Sequence, residues 1–176
     1  NNCDNMIAQA YEDKKIFHST STTLEEEINN ISQLPLLFEP GTKWHYSISI
    51  DILARIIEVL TKDNIYDFLN ENIFSLLGMK ETKFYLDENH QDDLIETFEY
   101  NSVSSRLSNL NFDKQKLIVY GYPKNNKNYS RGGHGLYSSA RDYIKFATML
   151  INGKNHNGHP LISSETLELM RNNTLN

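Results

Sequence analysis

The amino-acid sequence predicts a mainly α-helical protein with a short β-hairpin. In five segments, apolar residues recur at helical spacing after a residue that can cap the N-terminus of a helix. Only 82–86 and 116–122 have the aromatic and β-branched content that is typical of strands, and a polar, acidic stretch separates them. With 176 residues, 39% of them hydrophobic, the chain is long enough to bury one core as a single unit.

The first predicted helix covers 24–34. Thr23 stands where a helix cap is needed, and Glu26 stands three residues later as the partner of a capping box. Apolar residues then recur on one face, and Pro35 ends the pattern. The run Glu25 to Glu27 is the solvated face of this helix, next to its positive N-terminal dipole.

Two further helices follow directly. In "IDILARIIEVL" apolar residues lie at helical spacing, which predicts a core helix capped by Ser47 or Ser49. The next helix begins after Asn64 as its cap, and Gly78 is placed to end it in a left-handed turn.

Two helices are predicted near the end of the chain. Ser139 can cap the first with Asp142 as its partner, and Gly153 closes it. The second begins at Ser163 or Ser164.

Composition excludes two function classes. The net charge is −6, and the basic residues are scattered among carboxylates, which argues against a nucleic-acid surface. No stretch approaches eighteen uncharged apolar residues, so no membrane span is predicted.

Neither a cofactor nor a metal is predicted. The glycine-rich "RGGHGL" precedes a helix as a phosphate cradle would, but Ser138 stands where the dinucleotide fingerprint needs its third glycine. A tight structural turn is therefore favoured. His156 and His159 lack further ligands nearby in the sequence, which favours a surface turn over a metal site.

Tyr46 is the residue with the clearest chemical alternative. It follows the turn at Pro40 and Gly41, just before an apolar helix, where an aromatic ring commonly packs against a helix start. A phenol, with a pKa of about 10 when unperturbed, acts as a general base only beside cations. Lys43 and His45 are the adjacent candidates.

Two ordered segments carry a family resemblance. "LPLLFEPGTKWHYSISIDILARIIEVL", continued by "FLNENIFSLLGMKETKF", and "GGHGLYSSARDYIKFATMLINGKNHNGHPLISSETLELM" resemble the serine β-lactamase and penicillin-binding-protein superfamily, especially its class C-like family VIII carboxylesterases. The match is good over 34–85 and 132–172, weak over 1–33 and nearly absent over 86–131.

The resemblance implies an acyl-enzyme hydrolase of esters or amides. In that family a nucleophilic Ser with a Lys three residues on meets a Tyr-x-Asn-like motif and a strand motif in one pocket. The match implies a catalytic Tyr46, with His45, Ser47 and Ile48 lining the substrate site. Ile48 stands where β-lactamases usually have Asn, which favours esters over β-lactams.

The remaining motifs are missing from this sequence. No Ser is followed by Lys three positions later, and no Lys-Thr-Gly occurs. The chain also begins at Asn1 without an initiator Met. We therefore expect residues 1–176 to be one incomplete helical region of a larger serine hydrolase domain, inactive in isolation, belonging to the helical subdomain of an α+β fold. An apolar face left exposed would then favour self-association.

Within the hydrolase hypothesis, a β-lactamase or D-alanyl carboxypeptidase stays open as an alternative to an esterase. Two other classes also stay open. The chain could belong to a non-catalytic homologue that keeps the scaffold as a binding module. It could instead be an autonomous helical interaction domain, which requires a cooperatively folding monomer without a large exposed apolar face.

Overall fold

The computed structural model describes residues 2–16, 22–86, 93–95, 98–102, 104–109, 128 and 130–172. Within these ranges the fold is mainly helical, as predicted. Its elements are α1 (Asn2–Asp13), α2 (Leu24–Ile31), α3 (Ser49–Thr61), α4 (Ile65–Leu69), a π-helical turn (Asn70–Phe74), α5 (Ser75–Leu77), β1 (Phe98–Asn101), β2 (Arg106–Asn109), α6 (Ala140–Asn152) and α7 (Ser164–Arg171).

Local capping chemistry sets most helix starts. The predicted capping box of α2 is present, since the Thr23 hydroxyl accepts from the Glu26 N–H and the Glu26 carboxylate accepts from the Thr23 N–H. The side chains of Asn64, Ser139 and Ser163 likewise accept from a backbone N–H three residues on. The caps predicted at Thr23, Asn64 and Ser139 are confirmed, and α7 begins at Ser164, one of the two predicted starts.

Left-handed glycines end two helices as predicted. Gly78 after α5 has φ +67°, and Gly153 after α6 has φ +74°, conformations that a residue without Cβ adopts at little cost. The predicted helix between Asn64 and Gly78 is not regular, because the π-helical turn lies inside it.

Two predictions about helix ends are wrong. The first helix stops at Ile31 and not at Leu34, because the N–H groups of Gln33 and Leu34 bond to carbonyls three residues back, at Asn30 and Ile31, and no longer four residues back. The cap of α3 is Ile48, without a side-chain hydrogen bond, and neither Ser47 nor Ser49 fills that role. The backbone of Ile48 has ψ 11°, which is not the extended conformation of a side-chain cap.

The helix α1 was not predicted. Its residues are polar-rich, so their apolar spacing carries little helical signal.

The hairpin also lies elsewhere than predicted. Strands β1 and β2 pair antiparallel, with Phe98 opposite Asn109 and Asn101 opposite Arg106, in the stretch assigned to a polar connection. Residues 82–86 form only a single antiparallel bridge between Lys83 and Tyr137. The second predicted strand, 116–122, lies outside the described residues. Strand β1 alternates apolar and polar over its four residues, but Leu107 is the single apolar residue of the four in β2, so the alternation marks one strand of the pair.

Among the described residues, two small apolar cores join several of the helices. Phe74, Leu77, Met79 and Met149 join the α5 region to α6. Leu24, Ala54 and Ile65 join α2, α3 and α4. No helix in the described part of the chain is long and apolar enough to cross a bilayer.

The prediction that α3 is a core helix is wrong for most of its apolar residues. Its buried residues are Asp51 and Ala54, whereas Ile50 and Leu53 are each 54% exposed and Leu60 is 77% exposed. The described residues pack against one side of α3 only. Its other side presents an apolar surface, which we call the α3 face (Ile50, Leu53, Ile56 and Leu60).

A buried carboxylate fixes α6 to the segment after α5. Asp142 is 1% exposed, and it accepts from the Glu81 N–H at 2.7 Å, the Thr82 hydroxyl at 3.1 Å and the Lys145 ammonium at 2.8 Å. Lys145 also donates to the Gly78 carbonyl. Burial by itself would raise the pKa of Asp142, but the hydrogen bonds from Lys145, Glu81 and Thr82 outweigh it and lower the pKa below its ordinary value.

We predict that Asp142 makes the stability of the chain depend on acid pH. Because its folded pKa is lower than its unfolded pKa, the stabilisation is present above the unfolded value and is lost as pH falls through the folded value. Asp142→Ala should lower the free energy of unfolding near pH 7 by about 3 kcal/mol, because it strands buried donors. Urea unfolding between pH 7 and pH 3 measures both effects.

The control is Asp63→Ala, which removes an exposed carboxylate. At every pH, the unfolding midpoint of Asp63→Ala should be nearly the same as that of the wild type. A pH dependence that is equally steep in Asp142→Ala and in the wild type would contradict the role of this carboxylate.

Candidate active site

The segment before α3 is a turn followed by irregular backbone. The Thr42 N–H and hydroxyl both donate to the Glu39 carbonyl, and Gly41 has φ +81°, a conformation that favours glycine. The turn predicted at Pro40 and Gly41 is therefore confirmed. Beyond it the chain runs to α3 without regular structure.

The structure brings the predicted site residues to the surface at the N-terminus of α3. Tyr46 is 84% exposed, His45 and Ser47 are exposed, and Ile48 is half-buried. A sealed phenol could not meet a substrate, and Tyr46 is not sealed. Its exposure is compatible with the role that the sequence assigned to it.

An aromatic and basic cluster lies beside these residues. The Phe38 ring stands edge-on to the His45 ring, with 6.1 Å between centroids. The Lys43 ammonium lies 6.0 Å from the centroid of the same Phe38 ring, at the outer limit for a cation–π contact.

A cavity of about 570 Å³ adjoins the same segment. His45, Ser47 and Ile48 line one side of it, and residues of α1 and of the 34–38 segment line the other. Three of the four predicted site residues therefore share one cavity wall. Tyr46 is not among the described residues that line it.

A carboxylate that sequence reasoning missed connects this region to the glycine-rich loop. Asp51 is 3% exposed and lies in the first turn of α3. Its Oδ1 accepts from the Gly132 N–H at 2.9 Å and from the Gly133 N–H at 3.4 Å. The available signal was an acidic residue inside the apolar run "ISIDILARII", where a buried charge requires donors.

The glycine-rich loop is thus a structural turn, as favoured from the sequence. The N–H groups that a phosphate would need are already bound to Asp51. Burial lowers the pKa of His134, although Asp51 opposes that effect, so the neutral imidazole is favoured in the loop.

Nothing in the described ranges forms a metal centre. No group of three His, Cys, Asp or Glu side chains converges among those residues. His156 and His159 lie in the turn after α6, where the Asn155 side chain accepts from the His159 N–H.

Comparison with known proteins places these observations in a family. A family model described as Beta-lactamase matches residues 6–176. An uncharacterized protein of Mycobacterium tuberculosis is 27% identical over 146 residues, which are 82% of this chain and 34% of that protein. The chain thus spans about a third of the length of the curated relatives it matches.

Two named proteins are also similar. Lovastatin esterase of Penicillium rubens is 29% identical over 123 residues, covering 66% of this chain and 28% of the esterase. The solved structure of EstCE1, titled a hydrolase with promiscuous acyltransferase activity, superposes with a TM-score of 0.67 at 24% identity. That superposition covers 86% of this chain and 40% of EstCE1, and it concerns the fold.

The contact between Asp51 and the loop predicts a graded response to alanine. A Cβ at Gly132 would lie 2.2 Å from the Ile50 carbonyl oxygen, whereas a Cβ at Gly133 would lie 3.0 Å from an Asp51 carboxylate oxygen. Gly132→Ala should therefore lower the free energy of unfolding by about 2–3 kcal/mol, since backbone must move. Gly133→Ala should cost less.

Urea unfolding of the two variants and the wild type measures this order. Both substitutions add one methyl group to neighbouring residues, so each serves as the matched control for the other. Equal stability of Gly132→Ala and the wild type would contradict the packing of this loop on α3.

Proposed function

This chain belongs to the beta-lactamase family, and on that premise we propose that it is part of a serine hydrolase that cleaves carboxylic esters through an acyl-enzyme. Tyr46, exposed at the start of α3, is the observation that carries the proposal. It stands in the sequence context of the family's tyrosine motif.

In this proposal the chain supplies one wall of the active site. A serine hydroxyl attacks the ester carbonyl, its proton passes to the leaving alcohol, and water then releases the acid. Tyr46 would mediate the proton transfer. Neither the serine with its lysine nor the strand motif occurs in this sequence, so the rest of the site would come from residues beyond 1–176.

The residue at position 48 supports esters over β-lactams. Ile48 has no hydrogen-bonding group on its side chain, and it is half-buried at the N-cap of α3. The amide contact that an Asn would offer a β-lactam is therefore missing. The similar proteins include an esterase and a hydrolase by name.

Acyl transfer to an alcohol is a second candidate. EstCE1 is titled a hydrolase with promiscuous acyltransferase activity, and related fungal proteins are named methylbutanoyltransferases. The same acyl-enzyme would then react with an alcohol in place of water.

We predict that Tyr46→Phe in the complete protein lowers kcat for a short-chain p-nitrophenyl ester by roughly 10²–10⁴-fold, the range of a general acid or base. Tyr143→Phe is the matched control, because Tyr143 is also an exposed phenol, 65% exposed on α6. It should retain full activity.

The same assay separates the alternatives. A chromogenic cephalosporin should be a much poorer substrate than the ester, and adding an alcohol reveals transfer as a new ester product. The isolated 176-residue chain should not turn over either substrate. Full activity of Tyr46→Phe would refute the proton-transfer role, and no ester turnover by the complete protein would favour a binding module.

We also propose that the α3 face packs against the rest of that protein. Leu60 is 77% exposed and Leu53 is 54% exposed, which are high values for leucines on one helix. An apolar surface of this kind is covered in a stable protein or drives association.

We predict that the isolated chain self-associates through this face. Leu53→Glu combined with Leu60→Glu should shift the sedimentation coefficient towards that of a monomer, since two charges would have to be buried at the contact. Ile95→Glu is the control, because Ile95 is 92% exposed but lies outside α3. A monomeric wild-type chain at micromolar concentration would contradict this prediction.

A further inference from the structure

The cavity beside His45 has a charge that differs from that of the chain. The protein has 23 acidic and 17 basic residues, yet no Asp or Glu is among the described residues that line this cavity. Among the described residues that line the cavity, Lys43 alone carries a formal charge. A ligand here therefore meets a positive charge in an otherwise acidic protein.

The remaining walls are largely apolar. The cavity lining includes Ile7 and Tyr11, one helical turn apart on α1, Ile48 and Ile52 at the start of α3, and the segment Leu34–Phe38. The volume of about 570 Å³ lies in the range, roughly 300–1,000 Å³, of cavities that hold small organic ligands.

The Phe38 side chain lies between the charged and the apolar parts of the cavity lining. Phe38 lines the cavity, and its ring lies 6.0 Å from the Lys43 ammonium and 6.1 Å from the His45 ring. Lys43 and His45 are both exposed, while Phe38 is half-buried. The cavity lining is thus amphipathic, with the exposed ammonium of Lys43 beside largely apolar walls.

We propose that this cavity binds amphipathic carboxylic acids, with the carboxylate at Lys43 and the apolar body against Phe38, Ile48 and Tyr11. The charge disfavours organic cations, and the apolar walls disfavour short acids. The cavity shares His45, Ser47 and Ile48 with the substrate site of the proposed hydrolase, but this binding requires no reaction at Tyr46. The two proposals can therefore fail separately.

Titration of the wild-type chain with octanoate, followed by isothermal calorimetry, tests the proposal. Propionate has the same head group and a shorter tail, and it should bind at least tenfold more weakly because several methylene groups are not buried. Octylammonium has the same tail and the opposite charge, and it should bind about fivefold or more weakly than octanoate.

Two pairs of variants assign the binding to this cavity. Lys43→Glu should weaken octanoate about fivefold or more, whereas Lys80→Glu, which makes the same charge change at an exposed lysine outside the lining, should leave it unchanged. Leu36→Ser should weaken octanoate, whereas Leu60→Ser should not. Both leucines are largely exposed, 71% and 77%, so neither change disturbs a core.

Each outcome decides one part of the proposal. Octanoate binding that is lost in Leu60→Ser and kept in Leu36→Ser would move the ligand to the α3 face and overturn the cavity assignment. Equal affinity for octanoate and octylammonium, or an unchanged Lys43→Glu variant, would overturn the role of charge. Absence of saturable octanoate binding by the folded wild-type chain, checked by circular dichroism, would overturn the proposal as a whole.

Discussion

A buried carboxylate that accepts backbone N–H groups from a distant loop is the constraint on which the arrangement depends. Asp51, in the first turn of α3, binds the N–H groups of Gly132 and Gly133, more than eighty residues further along the chain. A charge that is 3% exposed is tolerated only with such donors. The contact fixes the loop against the helix that follows Tyr46, and it leaves no space for a side chain at Gly132.

A second buried carboxylate, in the first turn of α6, makes the same kind of contact. Asp142 occupies the third position of its helix, as Asp51 does in α3, and it binds Glu81 and Thr82 about sixty residues earlier. Each carboxylate lies near the positive end of its own helix dipole and also draws in a loop from the other part of the chain. The bridge between Lys83 and Tyr137 continues this link between the two segments. Polar contacts thus join segments whose apolar cores are small.

The small size of these apolar cores explains why apolar residues are exposed around the candidate site. With two small cores, α3 buries one side and leaves the α3 face exposed. Tyr46 precedes that helix, next in the chain to His45 and Ser47, which line the cavity together with Lys43. The proposed hydrolase wall and the proposed acid pocket share His45, Ser47 and Ile48, and the α3 face lies on the helix that follows them. They share one support, the N-terminus of α3 held by Asp51.

The sequence by itself determined the features that depend on near neighbours. Thr23, Asn64, Ser139 and Ser163 cap helices because each bond joins residues three apart, and two ordered segments sufficed to indicate the family. The tertiary structure alone decided the partners of Asp51, the exposure of the α3 face and the position of the hairpin at 98–109. Those outcomes depend on which remote segments meet, because burial and long-range hydrogen bonds are properties of contacts and not of local spacing.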